Sequence, residues 1–407
     1  TSLGIPVLTV DSVPHANEVD LSRSALDIVN NYHARMLSTA ILAAQDPRME
    51  YVQIVSFGCG HDAYLTDEIA RMMGEMGSKV PMMIKLDESD VAGPMGIRVR
   101  SFIESVNRRR AEERAEGARV HAVHPLDDPY KVKYTKRDRH DKIALVPNTS
   151  HAFCRLMTAA MRNQGVRAEA LDIGREDAIR LGKRYVHNDI CFPAQVVIGE
   201  ALAALRSGKY DLDHVAVAMA KYVGDCRLTH YSALLRKALE KADMAYIPVV
   251  SVNLSGLEKN PGFKLTLPFI RKAVYAMMYG DIIVNVANQV RPYEVNPGDT
   301  AAHVDHWTTE LLDRFDKGDG MSRKKMRGIF DEICADFKSI PVSGEEKIRV
   351  GVVGEILVKF HPTANNQIVD TIEHEGCEAV VPGLVDFFLF GILNPAFRHQ
   401  ELSLIHI

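Results

Sequence analysis

Tyr51-Val-Gln-Ile-Val-Ser-Phe-Gly-Cys-Gly-His-Asp-Ala-Tyr-Leu-Thr-Asp-Glu68 is the stretch from which the rest of the chain can be read. Val52 to Phe57 form a short, almost wholly apolar run rich in β-branched residues, the composition of a strand buried on both faces in a parallel sheet. Gly58-Cys59-Gly60 breaks the run, and Asp62 or Thr66 is placed to cap a helix with Asp67 and Glu68 in its first turn. Leu65, Ile69, Met72, Met73 and Met76 then recur at helical spacing. A cysteine between two glycines therefore stands where a strand hands over to a helix, the end of the strand at which open α/β sheets bind ligands.

The same rhythm continues on both sides. A short strand is expected over Pro6 to Val10, an amphipathic helix over Ser22 to Ala44, a second strand over Pro81 to Leu86, and a helix carrying Ile97, Phe102, Ile103 and Val106. Residues 1–107 thus read as the end of a first α/β domain. Residues 108–141 are densely charged with little apolar periodicity. They read as a solvated linker or exposed helix, with a basic docking surface as the alternative.

Residues 142–345 read as a second α/β domain with a helical extension. Strands are expected at Ile143 to Val146, Ala168 to Leu171, Val215 to Met219 and Ile247 to Val252. Helices are expected at Ser150 to Gly165, Glu176 to Val186, from Pro193, and from Tyr231, then at Leu267 to Tyr279, His303 to Phe315 and Ser322 to Phe337. Residues 346–395 open a third unit, with strands at Ile348 to Val353 and Glu378 to Val381 and helices at Asn366 to His374 and Leu384 to Leu393. The fold class is α/β, with two or more parallel-sheet units of Rossmann or flavodoxin type, covered by helices and truncated at both ends. The start at Thr1 and the tail 396–407 fit that reading. Leu402 to Ile407 continue no earlier pattern and read as translated adapter sequence.

At 407 residues with 46% hydrophobic and 25% charged residues, the composition is that of an ordinary globular protein. A net charge of −4 gives no reason to expect a nucleic-acid partner, and no apolar run reaches the length of a membrane span. No signal peptide is visible, and six irregularly spaced cysteines do not make a disulfide scaffold. The chain reads as cytoplasmic, with reduced or metal-bound thiols.

Three cysteines share one kind of position. Cys59 and Cys226 each follow a strand and precede a helix, and Cys191 lies two residues before the proline that starts one. At helix N-termini the unpaired N–H groups and the dipole favour a thiolate. Such thiolates can ligate an iron–sulfur cluster whose potential is tuned by backbone N–H groups. Against this, any one of them taken alone reads as a small buried apolar filler, and none belongs to a Cys-x-x-Cys pair. Cys154 and Cys334 fall on the apolar stripes of expected helices, and Cys377 follows Gly376 at a turn. His303 and His306 share a helix face without a His-Glu-x-x-His pattern, and His61 stands beside Cys59. There is no Gly-x-Gly-x-x-Gly, Walker or Gly-x-Ser-x-Gly motif.

Ser56-Phe-Gly-Cys-Gly-His-Asp-Ala, Ile84-Lys-Leu-Asp-Glu, Asn188-Asp-Ile-Cys-Phe-Pro-Ala and Cys226-Arg resemble the activase-related proteins of the 2-hydroxyacyl-CoA (2-hydroxyglutaryl-CoA) dehydratase system. Ser251-Val-Asn-Leu-Ser-Gly-Leu-Glu-Lys-Asn-Pro-Gly-Phe-Lys-Leu-Thr-Leu-Pro and Val353-Gly-Glu-Ile-Leu-Val-Lys-Phe-His-Pro-Thr-Ala-Asn-Asn are similar to the same family. Together the matches span most of residues 1–392. The resemblance implies a dehydratase-like portion of a larger protein of anaerobic metabolism. It would hold a [4Fe–4S] or double-cubane cluster and receive low-potential electrons from an ATP-dependent activase, in cis or in trans. In true dehydratases that electron makes a ketyl radical of an acyl-CoA thioester. Residue by residue, the ligand positions carry over to Cys59, Cys191 and Cys226. One departure stands out: the family's Gly-Gly-Gly-Cys-Arg turn is Tyr222-Val-Gly-Asp-Cys-Arg here. Directed inward, Asp225 would lower the potential of an anionic cluster or weaken its assembly. The alternatives from other classes are a non-catalytic electron-relay or docking module, and a zinc or thiol-redox protein.

Overall fold

The computed structural model describes residues 4–28, 30–56, 60–77, 79–86, 92–115, 123–221, 226–252, 261–319 and 322–402. It is a mixed α/β protein in which strands pair parallel and helices cover them.

The chain opens without the expected strand. Pro6 to Val10 pairs with no strand among the described residues, Val7 and Leu8 are exposed, and a 3-10 turn follows at Val10–Ser12. The first helix also begins later than its apolar spacing predicts, at α1 (Asn31–Gln45). Two interactions explain the late start. Buried Glu68 accepts from the Ala25 N–H at 2.7 Å and from the Ser24 hydroxyl at 3.2 Å, holding that segment out of helical register. The Asn30 side chain then accepts from the His33 N–H at 2.9 Å as a true N-cap. The far end of α1 is closed by Lys79, 1% exposed, whose ammonium donates to the Ala43 and Met49 carbonyls at 2.7 and 2.8 Å. Burial holds its pKa below the ordinary lysine value.

β1 (Val52–Ser56) and β2 (Met82–Leu86) form a parallel two-stranded ribbon joined by α2 (Gly60–Met76). β1 is not buried on both faces. Gln53 and Val55 point inward, whereas Val52 and Ile54 are 46% and 63% exposed. Among the described residues, helices cover only one side of the ribbon. α2 starts at Gly60, ahead of the expected caps, and Asp62 ties it back to β1 by accepting from the Ser56 N–H at 2.8 Å.

The charged stretch 108–141 begins inside α3 (Ala92–Ala115), where Arg109 and Arg110 close on Glu50. Further on it is pinned to the body. Tyr134 is fully buried, and the Tyr130 hydroxyl donates to the Ala25 carbonyl at 2.9 Å. The short α4 (Asp138–Asp141) leads into the main sheet.

That sheet has the parallel order β4-β3-β5-β6, from β3 (Ile143–Val146), β4 (Ala168–Ala170), β5 (Val215–Ala220) and β6 (Val249–Val252). Strand alternation sorts its residues into two cores. Leu145, Val215, Val217, Met219 and Val249 face α1, α2, α7 (Phe192–Arg206) and α8 (Tyr231–Lys241). Ala144, Ala216, Ala218 and Val250 face α5 (His151–Arg162), α9 (Leu267–Val290), α10 (Asp299–Asp316) and α11 (Arg323–Lys338). Small residues let the second helical layer lie close to the strands. α6 (Glu176–Tyr185) packs on α7 at very short range. A methyl at Gly199 would collide with the Ala178 carbonyl, and one at Gly182 with the Gln195 carbonyl.

A third parallel pair, β7 (Arg349–Gly351) and β8 (Glu378–Val380), is shorter than its apolar runs predict. It carries α12 (Ile356–Phe360), α13 (Ile368–His374) and α14 (Leu384–Leu402). It docks through α9, whose Asp281 accepts from the Leu384 and Val385 N–H groups at 2.7 Å each. Arg291 pairs with Glu373 at 2.8 Å. No helix of the described residues is long and apolar enough to cross a membrane.

Candidate functional site

The strand order reverses at β3, since β4 lies on one side of it and β5 on the other, which makes the carboxyl ends of β3 and β5 a natural crevice. Cys226 follows β5 and occupies the N-cap position of a 3-10 turn, Arg227–His230, that runs directly into α8. Cys191 is the N-cap residue of α7, with Pro193 in its first turn as its spacing predicts. The two helix starts meet at Tyr231, the first residue of α8. Its hydroxyl is 2.9 Å from the Cys191 sulfur, and Cys191, Cys226 and Glu355 all act electrostatically on it. Burial first, then Cys191, pushes the Tyr231 phenol well above its ordinary range, so the hydroxyl keeps its proton.

Cys59 lies outside the described residues, as does Asp225. The neighbour of Cys59, Gly60, lies against the Arg227 side chain, and a methyl there would collide with the guanidinium. On the other side, Lys85 at the end of β2 forms an ion pair with Asp189, two residues before Cys191. The carboxyl end of the ribbon therefore abuts both described thiols' loops. Cys191 is partly buried and Cys226 exposed.

A group of aromatic side chains lies next to the helix starts. Tyr64 is stacked 4.0 Å from His230 and hydrogen-bonded to His61, and the His33 ring is 5.4 Å from that of His61. His230 is 2% exposed, and its Nδ1 has no hydrogen-bond partner among the described residues. Burial, with His33, Lys221 and His61 nearby, drives its pKa from the ordinary 6.5 to about 3, so it is neutral. Lys221, directly after β5, is buried against Asp27.

The remaining thiols and histidines are held elsewhere. Cys154 is buried and accepts from the Thr149 N–H at 3.2 Å. Cys334 and Cys377 are partly buried on α11 and beside β8. The His303 ring is 2.7 Å from Asp336, which also accepts from Trp307 at 2.7 Å, while His306 stacks edge-on with Trp307. Among the described residues no three His, Cys, Asp or Glu side chains are grouped so as to hold a metal ion.

Three features escaped the sequence reading. Tyr231 registered only as an apolar-stripe residue, and nothing in its spacing flags a bond to a thiol 40 residues away. The histidine–tyrosine group is assembled from three separate segments. Glu200 did leave a signal, because it is a lone carboxylate on the otherwise apolar α7 and such a group must find partners when buried. It accepts from the Asn148 N–H at 3.0 Å, from the Gly174 N–H at 2.5 Å and from His361 at 2.8 Å. His361 Nδ1 in turn accepts from the Ala364 N–H at 3.1 Å, which leaves Nε2 as the protonated nitrogen facing Glu200.

Comparison with protein-family models, with curated proteins and with solved structures finds no match to this chain.

The donor chemistry at the crevice fits thiolate ligation. Cys191 and Cys226 both head helical segments, the Tyr231 hydroxyl lies 2.9 Å from the Cys191 sulfur, and Arg227, next in sequence to Cys226, lies against Gly60.

Proposed function

We propose that this chain is an iron–sulfur-cluster-binding, 2-hydroxyacyl-CoA-dehydratase-like component that receives low-potential electrons from an ATP-dependent activase. The observation that carries the proposal is the approach of the Tyr231 hydroxyl to 2.9 Å from the Cys191 sulfur, made from the helix that follows Cys226, with Gly60, the neighbour of Cys59, against Arg227. Cys59, Cys191 and Cys226 would hold the cluster, which when bound supplies single electrons at low potential. Arg227, the residue after Cys226, would bring positive charge to the Gly60 side of the site, and the neutral His230 ring adds none. The strand order β4-β3-β5-β6 supports a flavodoxin-like arrangement, whose ligand site lies at this same crevice. An acyl-CoA thioester is the substrate class the family resemblance implies.

An electron-relay or docking module is the second reading, favoured by the exposure of Cys226, which suits electron exchange with a docked protein. Anaerobic expression followed by iron and sulfide analysis, and by EPR after reduction, tests both. Cys59→Ala, Cys191→Ala and Cys226→Ala are expected each to lose iron, while Cys154→Ala and Cys334→Ala keep it. A well-folded anaerobic sample without iron overturns both readings. Water loss from a 2-hydroxyacyl-CoA in the presence of activase and ATP separates enzyme from relay.

A further inference from the structure

We infer that Tyr231 is a positioning residue for the thiolate of Cys191, donating its O–H to that sulfur and setting how readily the site accepts an electron. The inference rests on the cluster reading and adds to it a named group that adjusts the potential.

The geometry is specific. Tyr231 is 6% exposed, opens α8, and brings its hydroxyl to 2.9 Å from Cys191 Sγ. Either atom is able to donate when both are protonated. A metal-bound cysteine is a thiolate and has no proton, so the phenol must then be the donor. Cys191 is the N-cap of α7, but its side chain makes no capping hydrogen bond, so the sulfur is not tied to its own helix. Its orientation is set across the crevice by Tyr231, from the helix that follows Cys226.

A cluster held at Cys191 would take up one electron from the reduced activase with no bond made or broken, and the proton would stay on the Tyr231 oxygen. Negative charge on the Cys191 sulfur would then grow, and the O–H would stabilise the reduced state more than the oxidised one. Removing the O–H therefore makes the site harder to reduce. A charge-assisted hydrogen bond of this kind corresponds to about a tenfold change in the reduced-to-oxidised ratio at fixed solution potential, which is about 59 mV for one electron.

The test uses the full chain, made and handled anaerobically, as wild type, as Tyr231→Phe, and with 3-fluorotyrosine at position 231. Iron content is measured on each, and the midpoint is read by EPR-monitored titration. With equal iron, Tyr231→Phe is expected to shift the midpoint negative. The fluorinated ring, a stronger donor of nearly the same shape, is expected to shift it positive. Unchanged midpoints, or shifts of both variants in the same direction, overturn the inference and leave the cluster reading standing. Iron-free wild type overturns both. Should Tyr231→Phe fail to fold or to hold iron, the fluorinated protein, which keeps ring and hydroxyl, decides alone.

Discussion

In the four-stranded sheet, Val215 to Met219 have helices on both faces and are buried throughout; in the β1–β2 ribbon, Val52 and Ile54 look out on solvent. The two strands are of similar length, although β5 is wholly apolar and β1 carries Gln53 and Ser56. They differ as well in helical cover, because α5, α9 and α10 close the second face of the main sheet and no described helix does so for the ribbon. An apolar run thus states that a strand can be buried, and the supply of covering helices decides on how many sides.

The largest expected effect is at the covered strand. Val217→Asp places an unpaired carboxylate in the first core and should cost about 4–5 kcal/mol or more, enough to prevent folding, as soluble yield or urea unfolding would report. Near-wild-type stability would mean that the sheet is not closed. Next comes the covering layer itself. Gly199→Ala drives a methyl into the Ala178 carbonyl and should cost about 1–3 kcal/mol, seen as a lower urea midpoint with unchanged slope.

A third test lies where the two regions meet, at His230 against Tyr64. Its folded pKa of about 3 is below the ordinary 6.5, so between these values the unfolded chain binds more protons and stability falls as pH falls. The slope from this group is at most about 1.4 kcal/mol per pH unit. His230→Phe should therefore lose less stability than wild type between pH 6.5 and pH 4, and equal losses would show that the ring is not held neutral. The smallest effect is expected on the open face. Ile54→Thr should change stability by no more than about 0.5 kcal/mol, and a loss as large as that of a core substitution would show that the face is covered in solution.

Apart from the strand expected at Pro6 to Val10 and the short α4 and α12, the order of elements was readable in the sequence, because most strand runs end in turn residues and most longer helices show an apolar stripe. Cys191-Phe192-Pro193 gave the start of α7 correctly, since proline fits only the first turn. Where the reading failed, a distant partner had intervened. Glu68 held Ser24 and Ala25 out of the helix expected from Ser22. The helix-entry position of Cys191 and Cys226 was legible in the sequence, while Cys59 lies outside the described residues. The contact of Cys191 with Tyr231 and the approach of Arg227 to Gly60 were not legible, because they depend on how α2, α7 and α8 pack together.

Glu200 has a consequence for how the molecule opens. Its carboxylate, 3% exposed, is shared by the loop after β3, the loop after β4 and the segment that carries His361. Swinging that last segment away would strip one hydrogen bond from an anion that remains enclosed, while the two backbone donors stay in place. Partial opening at this seam therefore has no comfortable halfway state. The β7–β8 unit should come away from the main sheet only together with the loops that share its carboxylate, as one cooperative step in amide exchange and not as a hinge.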